Sequence, residues 1–186
     1  DNIRERSHGL ESELEQSFYW IDTPDDMEIY QEDKEVSSPY NIGEVEGTIN
    51  LLMWLDENLN EEKTVGVIAP YKAQTKRLEK EINTVEFKHL EIEVNTIDAF
   101  QGREKQIIIM NLVRNNQRKE LGFIVHDSRL NVAFSRAQEL MFVIGNTNFI
   151  YQNKGKLSKL YDTIVHLRGN AAVKRIEEFA RVRQDV

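Results

Sequence analysis

The sequence predicts an α/β domain, a three-layer sandwich built on a mostly parallel sheet. Three observations carry this. Short β-branched runs alternate with segments of helical periodicity, the pattern of strand–helix crossovers. Ile107 to Val113 is a nearly continuous apolar run, as in a central parallel strand covered on both faces. The 186 residues, 40% of them hydrophobic, are enough for one core of ordinary domain size.

The elements follow in chain order. Residues 1–17 are polar, with Gly9, and read as a frayed lead-in or the end of an insertion; the main domain is expected over 18–170. Phe18 to Ile21 is a short apolar run suited to a buried strand. Asp22 to Tyr40 reads as a loop, with Pro24, an acidic stretch and Ser37-Ser38-Pro39. From Glu44 to about Leu59 the pattern is helical, with Val45, Ile49, Leu52 and Leu59 on one face. Val65 to Ala69 is a compact strand, and a helix runs from after Pro70 to about Ile82. Leu90, Ile92, Val94 and Thr96 alternate as a strand does. Asp127 is placed to cap a helix reaching about Gln138, with Leu130, Ala133, Phe134 and Ala137 as its apolar stripe. Met141 to Ile144 is another buried strand, closed by Gly145. Leu157, Leu160, Tyr161 and Ile164 mark a further helix, and residues 171–184 a last one, so 171–186 is expected as a C-terminal helix.

The net charge of −8 hides an asymmetry. Residues 1–63 hold 18 acids and 4 bases, net −14; residues 64–186 hold 14 acids and 20 bases, net +6. An anionic partner such as nucleic acid is therefore compatible with the last two thirds. Cysteine is absent, which excludes a disulfide framework, a thiolate nucleophile and cysteine-ligated metal, and fits a reducing, cytoplasmic setting. Apolar runs are far too short for a membrane span, and no signal peptide is visible. The first residue is Asp1, so the chain reads as a piece of a longer protein.

The glycine-rich phosphate loop ending in Gly-Lys-Ser/Thr is missing, as are dinucleotide-binding and nucleophile-elbow glycine patterns. His8, His89, His126 and His166 show no metal-ligand spacing, and no metal site is expected; His126-Asp127 suits a helix start better than a ligand pair. Two segments stand out. Asn95 to Glu104 is dense in polar groups just after an alternating strand, where α/β sheets place ligands, and Gly102 permits close backbone approach. In Arg129 to Ala137, Arg129 and Arg136 lie seven residues apart, on one side of the expected helix at the edge of its apolar stripe. Arginines so placed suit phosphate. Plainer roles stand beside these: a turn or cap for Asp98, a solvated charge for Glu104, surface ion pairs for the arginines, a structural role for Asn131.

Asp98-Ala99-Phe100-Gln101-Gly102-Arg103-Glu104 followed by Arg129-Leu130-Asn131-Val132-Ala133-Phe134-Ser135-Arg136-Ala137 resembles motifs V and VI of superfamily-one helicases, in the wording of the Upf-like branch. Val65 to Gln74 resembles that branch's motif IV region, and Tyr40-Asn41 with Glu44 its N-x-x-E helix start. The resemblance covers about residues 18–150.

It implies a second RecA-like domain, one half of an ATPase whose other half carries the phosphate loop and the magnesium-binding acids. ATP and Mg²⁺ would be bound mainly by that first domain. By motif position Arg136 would be the arginine finger, worth ~10³–10⁵-fold in related systems. Gly102, Glu104 and Arg129 would lie at the nucleotide, Glu104 holding the ribose or orienting arginines. Pro70, Tyr71 and Thr96 would touch single-stranded nucleic acid, DNA or RNA. Asp98, Gln101 and Asn131 would be structural or would couple the two sites. Ala69 stands where the family often has threonine. Motifs IV, V and VI would share one rim of the sheet. The resemblance thus implies the second motor domain of an ATP-dependent helicase or translocase, inactive alone and partnered by the first domain; the alternative is a RecA-like lobe kept for docking nucleic acid or protein without turnover.

Overall fold

The computed structural model describes residues 7–181. It is a three-layer α/β sandwich around a six-stranded sheet whose strands all run parallel. The strands are β1 (Phe18–Asp22), β4 (Lys63–Ala69), β5 (Leu90–Thr96), β6 (Lys105–Asn111), β7 (Ala137–Gly145) and β8 (Val173–Arg175), in the order β5-β4-β6-β7-β1-β8. A separate antiparallel hairpin joins β2 (Asp33–Glu35) to β3 (Ser38–Tyr40). The helices are α1 (Ile42–Asn58), α2 (Lys72–Ile82), α3 (Asp127–Phe134), α4 (Thr147–Gln152) and α5 (Ser158–Gly169).

The expected central strand is β6. Ile107, Ile108, Ile109 and Met110 are fully buried, and β4 and β7 pair with it on either side. α1 begins where Asn41 accepts the Glu44 N–H at 3.1 Å, an N-cap that satisfies one of the helix's orphan donors. It buries Val45, Ile49, Leu52 and Leu55 and packs beside α2. On the opposite face the 97–104 connection carries Phe100, fully buried over the middle of β4, where its ring approaches Gly66.

Four expectations need correction. Residues 7–17 are not frayed: Leu10 and Leu14 are buried, the Tyr19 hydroxyl accepts the Gln16 N–H at 2.8 Å, and the Ser17 carbonyl accepts the Met141 N–H. Two leucines in a polar stretch were enough to dock it. The 22–40 loop contains the β2–β3 hairpin, clamped to α2 where Arg77 lies 3.5 Å above the Tyr40 ring and pairs with Glu35 at 2.7 Å. The helix after His126 ends at Phe134, not Gln138, and His126 rather than Asp127 occupies the cap position. Ala137 is taken by the sheet, where it pairs with Lys105. Finally, 171–181 is not helical. Val173 to Arg175 pair with Trp20 to Asp22, and a single 3₁₀ turn, Ile176–Phe179, buries Ile176 and Phe179. An open edge of β1 outweighs the helical propensity of this segment. Residues 182–186 of that expected helix lie outside the described residues.

Candidate functional site

A parallel sheet has two distinct edges, one of strand starts and one of strand ends, and the predicted residues divide between them. Pro70 and Tyr71 follow β4, and Thr96 ends β5, so these three stand at the carboxyl edge. Gly102 and Glu104 precede β6, and Arg136 precedes β7, so these stand at the amino edge. The expected single rim is therefore wrong. The 97–104 connection is short and crosses the sheet face without a helix, carrying one end of its motif to each edge.

At the amino edge the Arg136 carbonyl accepts the Lys105 N–H at 3.1 Å, which sets Arg136 beside Glu104 in the strand starts. A register shift between Lys105 and Ile107 opens β7 here, the kind of bulge that re-aims side chains. Gln138 on the shifted stretch donates to Glu104 at 3.1 Å. Glu104 is thus engaged by a glutamine; of the two roles expected for it, holding a ribose or orienting arginines, no arginine contact is present among the described residues. The Arg136 guanidinium is half-buried and held by its own helix end: Nε donates to the Val132 carbonyl at 3.0 Å and a terminal nitrogen to Ser135 Oγ at 2.9 Å. Among the described residues it has no carboxylate partner. Gly102 has φ +81, and the space where a Cβ would stand is open.

Arg136 is past the end of α3, so it does not share a helix side with Arg129. Arg129 sits near the start of α3, toward the carboxyl edge. Its Nε lies 3.7 Å from Asp98 Oδ1 and its guanidinium 4.7 Å from the Phe123 ring centre. The structure thus joins Arg129 to Asp98 and leaves it outside the Gly102–Glu104–Arg136 group. Gln101 and Asn131 are both exposed; the Gln101 N–H donates to the Asp98 carbonyl, and the Asn131 carbonyl accepts the Ser135 N–H.

At the carboxyl edge Thr96 Oγ1 accepts the Ala99 N–H at 3.3 Å, closing the turn after β5. The Tyr71 oxygen accepts the Phe123 N–H at 3.1 Å, and burial pushes its pKa up. The Arg114 guanidinium lies 5.9 Å from the Tyr71 ring centre and is paired with Glu32 at 3.0 Å, both side chains being buried. Gly122, Phe123, Arg114 and Glu32 were not predicted. Only Gly122-Phe123, a glycine–aromatic step after the polar 114–120 stretch, hinted at them.

The chain steps from β4 out to β5 on one side and returns to β6 on the other. The crevice between the carboxyl ends of β4 and β6 is then the switch point, where such sheets hold ligands. Here side chains fill it. Gln74 donates to Asn111 at 2.8 Å and accepts the Asn41 N–H at 2.8 Å, while Asn111 donates to Thr48 at 2.9 Å. Beside them Glu44 accepts the Val113 N–H at 2.9 Å, fixing a residue held at φ +71. The other Glu44 oxygen is buried without a partner, and burial pushes the carboxyl pKa up to about 8. Among the described residues no group of three His, Cys, Asp or Glu side chains could hold a metal ion, and no helix is long and apolar enough to cross a membrane.

A six-stranded parallel sheet flanked by helices is the architecture of a RecA-like domain. The family model described as an AAA domain matches residues 2–148. The chain is 36% identical over 166 residues to the DNA polymerase alpha-associated DNA helicase A of Saccharomyces cerevisiae, covering 86% of this chain and 24% of that protein. It is 39% identical over 126 residues to an uncharacterized ATP-dependent helicase of Methanocaldococcus jannaschii (68% of this chain, 18% of that protein). Over 125 residues it is 35% identical to the regulator of nonsense transcripts 1 homolog of Drosophila melanogaster (56% and 11%). The chain belongs to the Upf-like branch of superfamily-one helicases and has their RecA-like fold. It spans about a quarter or less of the length of these relatives.

Proposed function

We propose that this chain is the second motor domain of an ATP-dependent helicase or translocase. It supplies Arg136 to the nucleotide and Pro70, Tyr71 and Thr96 to a single strand. The observation that carries the reading is the state of Arg136: a guanidinium tethered by neutral oxygens and free of any carboxylate among the described residues. A cation so held is oriented without being neutralised, which suits a phosphate that arrives from outside.

ATP with Mg²⁺ brings the phosphoanhydride that is cleaved. The residues here fit one flank of it. Arg136 offsets negative charge on the terminal phosphate as transfer proceeds. The Glu104 oxygen not engaged by Gln138 accepts a ribose hydroxyl, and Gly102 leaves room for close approach. The phosphate loop, the magnesium ligands and the water-activating acid are assigned to the first domain of the parent protein, so the fragment alone does not turn over ATP. Contacts at the carboxyl edge go mainly to the strand backbone, which makes binding sequence-independent and salt-sensitive.

The test is strand-stimulated ATP turnover by a polypeptide that joins this chain to its first domain. Wild type and Arg136→Ala are compared, with DNA and RNA oligonucleotides in parallel. Stimulated turnover in wild type, lost in the variant with strand binding retained, is expected. Absence of turnover on either polymer would make the lobe a docking module. Robust turnover by the isolated 186-residue chain would overturn the division of labour.

A further inference from the structure

The strand-binding reading places Tyr71 at one edge and Arg136 at the other, and it leaves open what sets Tyr71. We infer that Phe123 is a positioning residue for Tyr71, itself set by Arg129 on α3. The inference rests on the reading of Tyr71 as a strand contact.

Three neighbours fix Tyr71. Arg114 lies over its ring but is locked to Glu32 and to the Glu120 carbonyl at 2.9 Å, all within the loops of the carboxyl edge. Gly122 closes over the hydroxyl: its φ is +55, and a Cβ there would stand 2.5 Å from the Tyr71 oxygen. Only glycine lets the 122–123 backbone come down onto the phenol. Phe123 then makes two contacts with Tyr71, its N–H donating to the phenol oxygen at 3.1 Å and its ring meeting the tyrosine edge-on, centres 6.5 Å apart at 71°.

Of these neighbours Phe123 alone is also gripped from α3. The Arg129 guanidinium lies 4.7 Å from its ring centre, a cation–π distance, and its Nε is 3.7 Å from Asp98 in an exposed pair. α3 is the helix whose end presents Arg136. The contacts run from Arg129 through the Phe123 ring to the Tyr71 ring, across one cation–π contact and one edge-on aromatic contact. The Phe123 N–H holds the Tyr71 oxygen as acceptor, the ring is the part of Tyr71 that can stack on a base, and ring placement is what Phe123 controls.

The experiment measures binding of a fluorescent single-stranded oligothymidylate to the polypeptide that joins this chain to its first domain, by anisotropy at low salt, with a melting curve for every variant. Tyr71→Ala defines the loss when the ring is gone. Phe123→Leu keeps the backbone N–H and most of the apolar volume but removes the ring; affinity is expected to fall about fivefold or more, the scale of one lost base–ring contact. Phe123→Tyr restores binding to near wild type. Arg129→Gln weakens binding, and the Phe123→Leu/Arg129→Gln double variant is no weaker than Phe123→Leu alone, because both break one chain of contacts. Wild-type affinity in Phe123→Leu alongside an impaired Tyr71→Ala overturns the inference and leaves the strand reading intact. So does a loss that follows the melting temperature and is not restored by Phe123→Tyr, which makes Phe123 structural only. If wild type does not bind, or Tyr71→Ala binds as wild type does, the strand reading of Tyr71 fails and takes the inference with it.

Discussion

The carbonyl oxygen of Arg136 accepts the backbone N–H of Lys105 at 3.1 Å. This bond is the first rung between β7 and β6. It fixes the backbone of Arg136 through the sheet, while the guanidinium is held only by the Val132 carbonyl and the Ser135 hydroxyl. Replacing the side chain should therefore cost little stability. Arg136→Ala is expected to melt within about 3 °C of wild type in a thermal scan. Arg136→Lys should melt likewise and still fail to restore turnover in the two-domain polypeptide, because an ammonium lacks the planar fork. A lysine variant with full turnover would reduce Arg136 to a point charge.

Glu44 gives the fold a pH dependence of definite sign. Its folded pKa is raised from the ordinary 4.5 to about 8, by burial first and by the negative charge of Glu32, against a lowering by the Val113 N–H. Between these values the folded state keeps a proton that the unfolded chain releases. Stability from this group is fully present below about pH 4.5, declines as pH rises, and is gone above about pH 8. Glu44→Gln removes the titration. Its melting temperature relative to wild type should be several degrees more favourable at pH 8 than at pH 5. Parallel melting curves at the two pH values would show Glu44 to be ionised in the fold.

Phe100 lies inside the segment that resembles motif V, yet it is fully buried against β4. Its role is packing. Phe100→Ala should cost about 3–5 kcal/mol in urea denaturation, the scale for removing a buried ring without collapse of the cavity. A cost below about 1 kcal/mol would mean that the 97–104 connection closes over the hole.

Two paired cations, Lys63 and Arg103, should differ sharply in what they contribute. Lys63 is 4% exposed at its side chain and meets Glu139 at 2.8 Å and Glu61 at 2.6 Å. Lys63→Ala strands the half-buried Glu139 and should cost about 3 kcal/mol. Arg103 pairs with Glu93 but is more than half exposed. Arg103→Ala should change stability by less than about 1 kcal/mol. Chemical denaturation of both variants in one buffer checks the contrast, and equal costs would refute it.

Periodicity exposed most of the architecture. β4, β5 and β6 and helices α1 and α2 lie close to where spacing placed them, because their apolar pattern and their burial agree. β8 was illegible because three residues, Val-Lys-Arg, carry no strand signal; they are extended because β1 has a free edge. The end of α3 was misplaced for a related reason. Ala137 continues the helical stripe in sequence, and only pairing with Lys105 assigns it to the sheet. The candidate residues were found by motif, but their split between two edges depends on how the 97–104 connection crosses the sheet, which a one-dimensional pattern does not encode. Phe123 was missed because its importance lies in what it touches, Tyr71 and Arg129, both distant in sequence.

β1 sits between β7 and β8, with Phe18 opposite Met141 and Trp20 opposite Val173. Among the described strands of this sheet, β1 comes first in the chain and its two neighbours come last. Until β7 has been synthesised, Tyr19, Trp20 and Ile21 have no surface to bury against. The late docking of β1 is a closure over long sequence separation, the slow kind. In hydrogen exchange the β4–β6 pair is then expected to protect first, and β1 last.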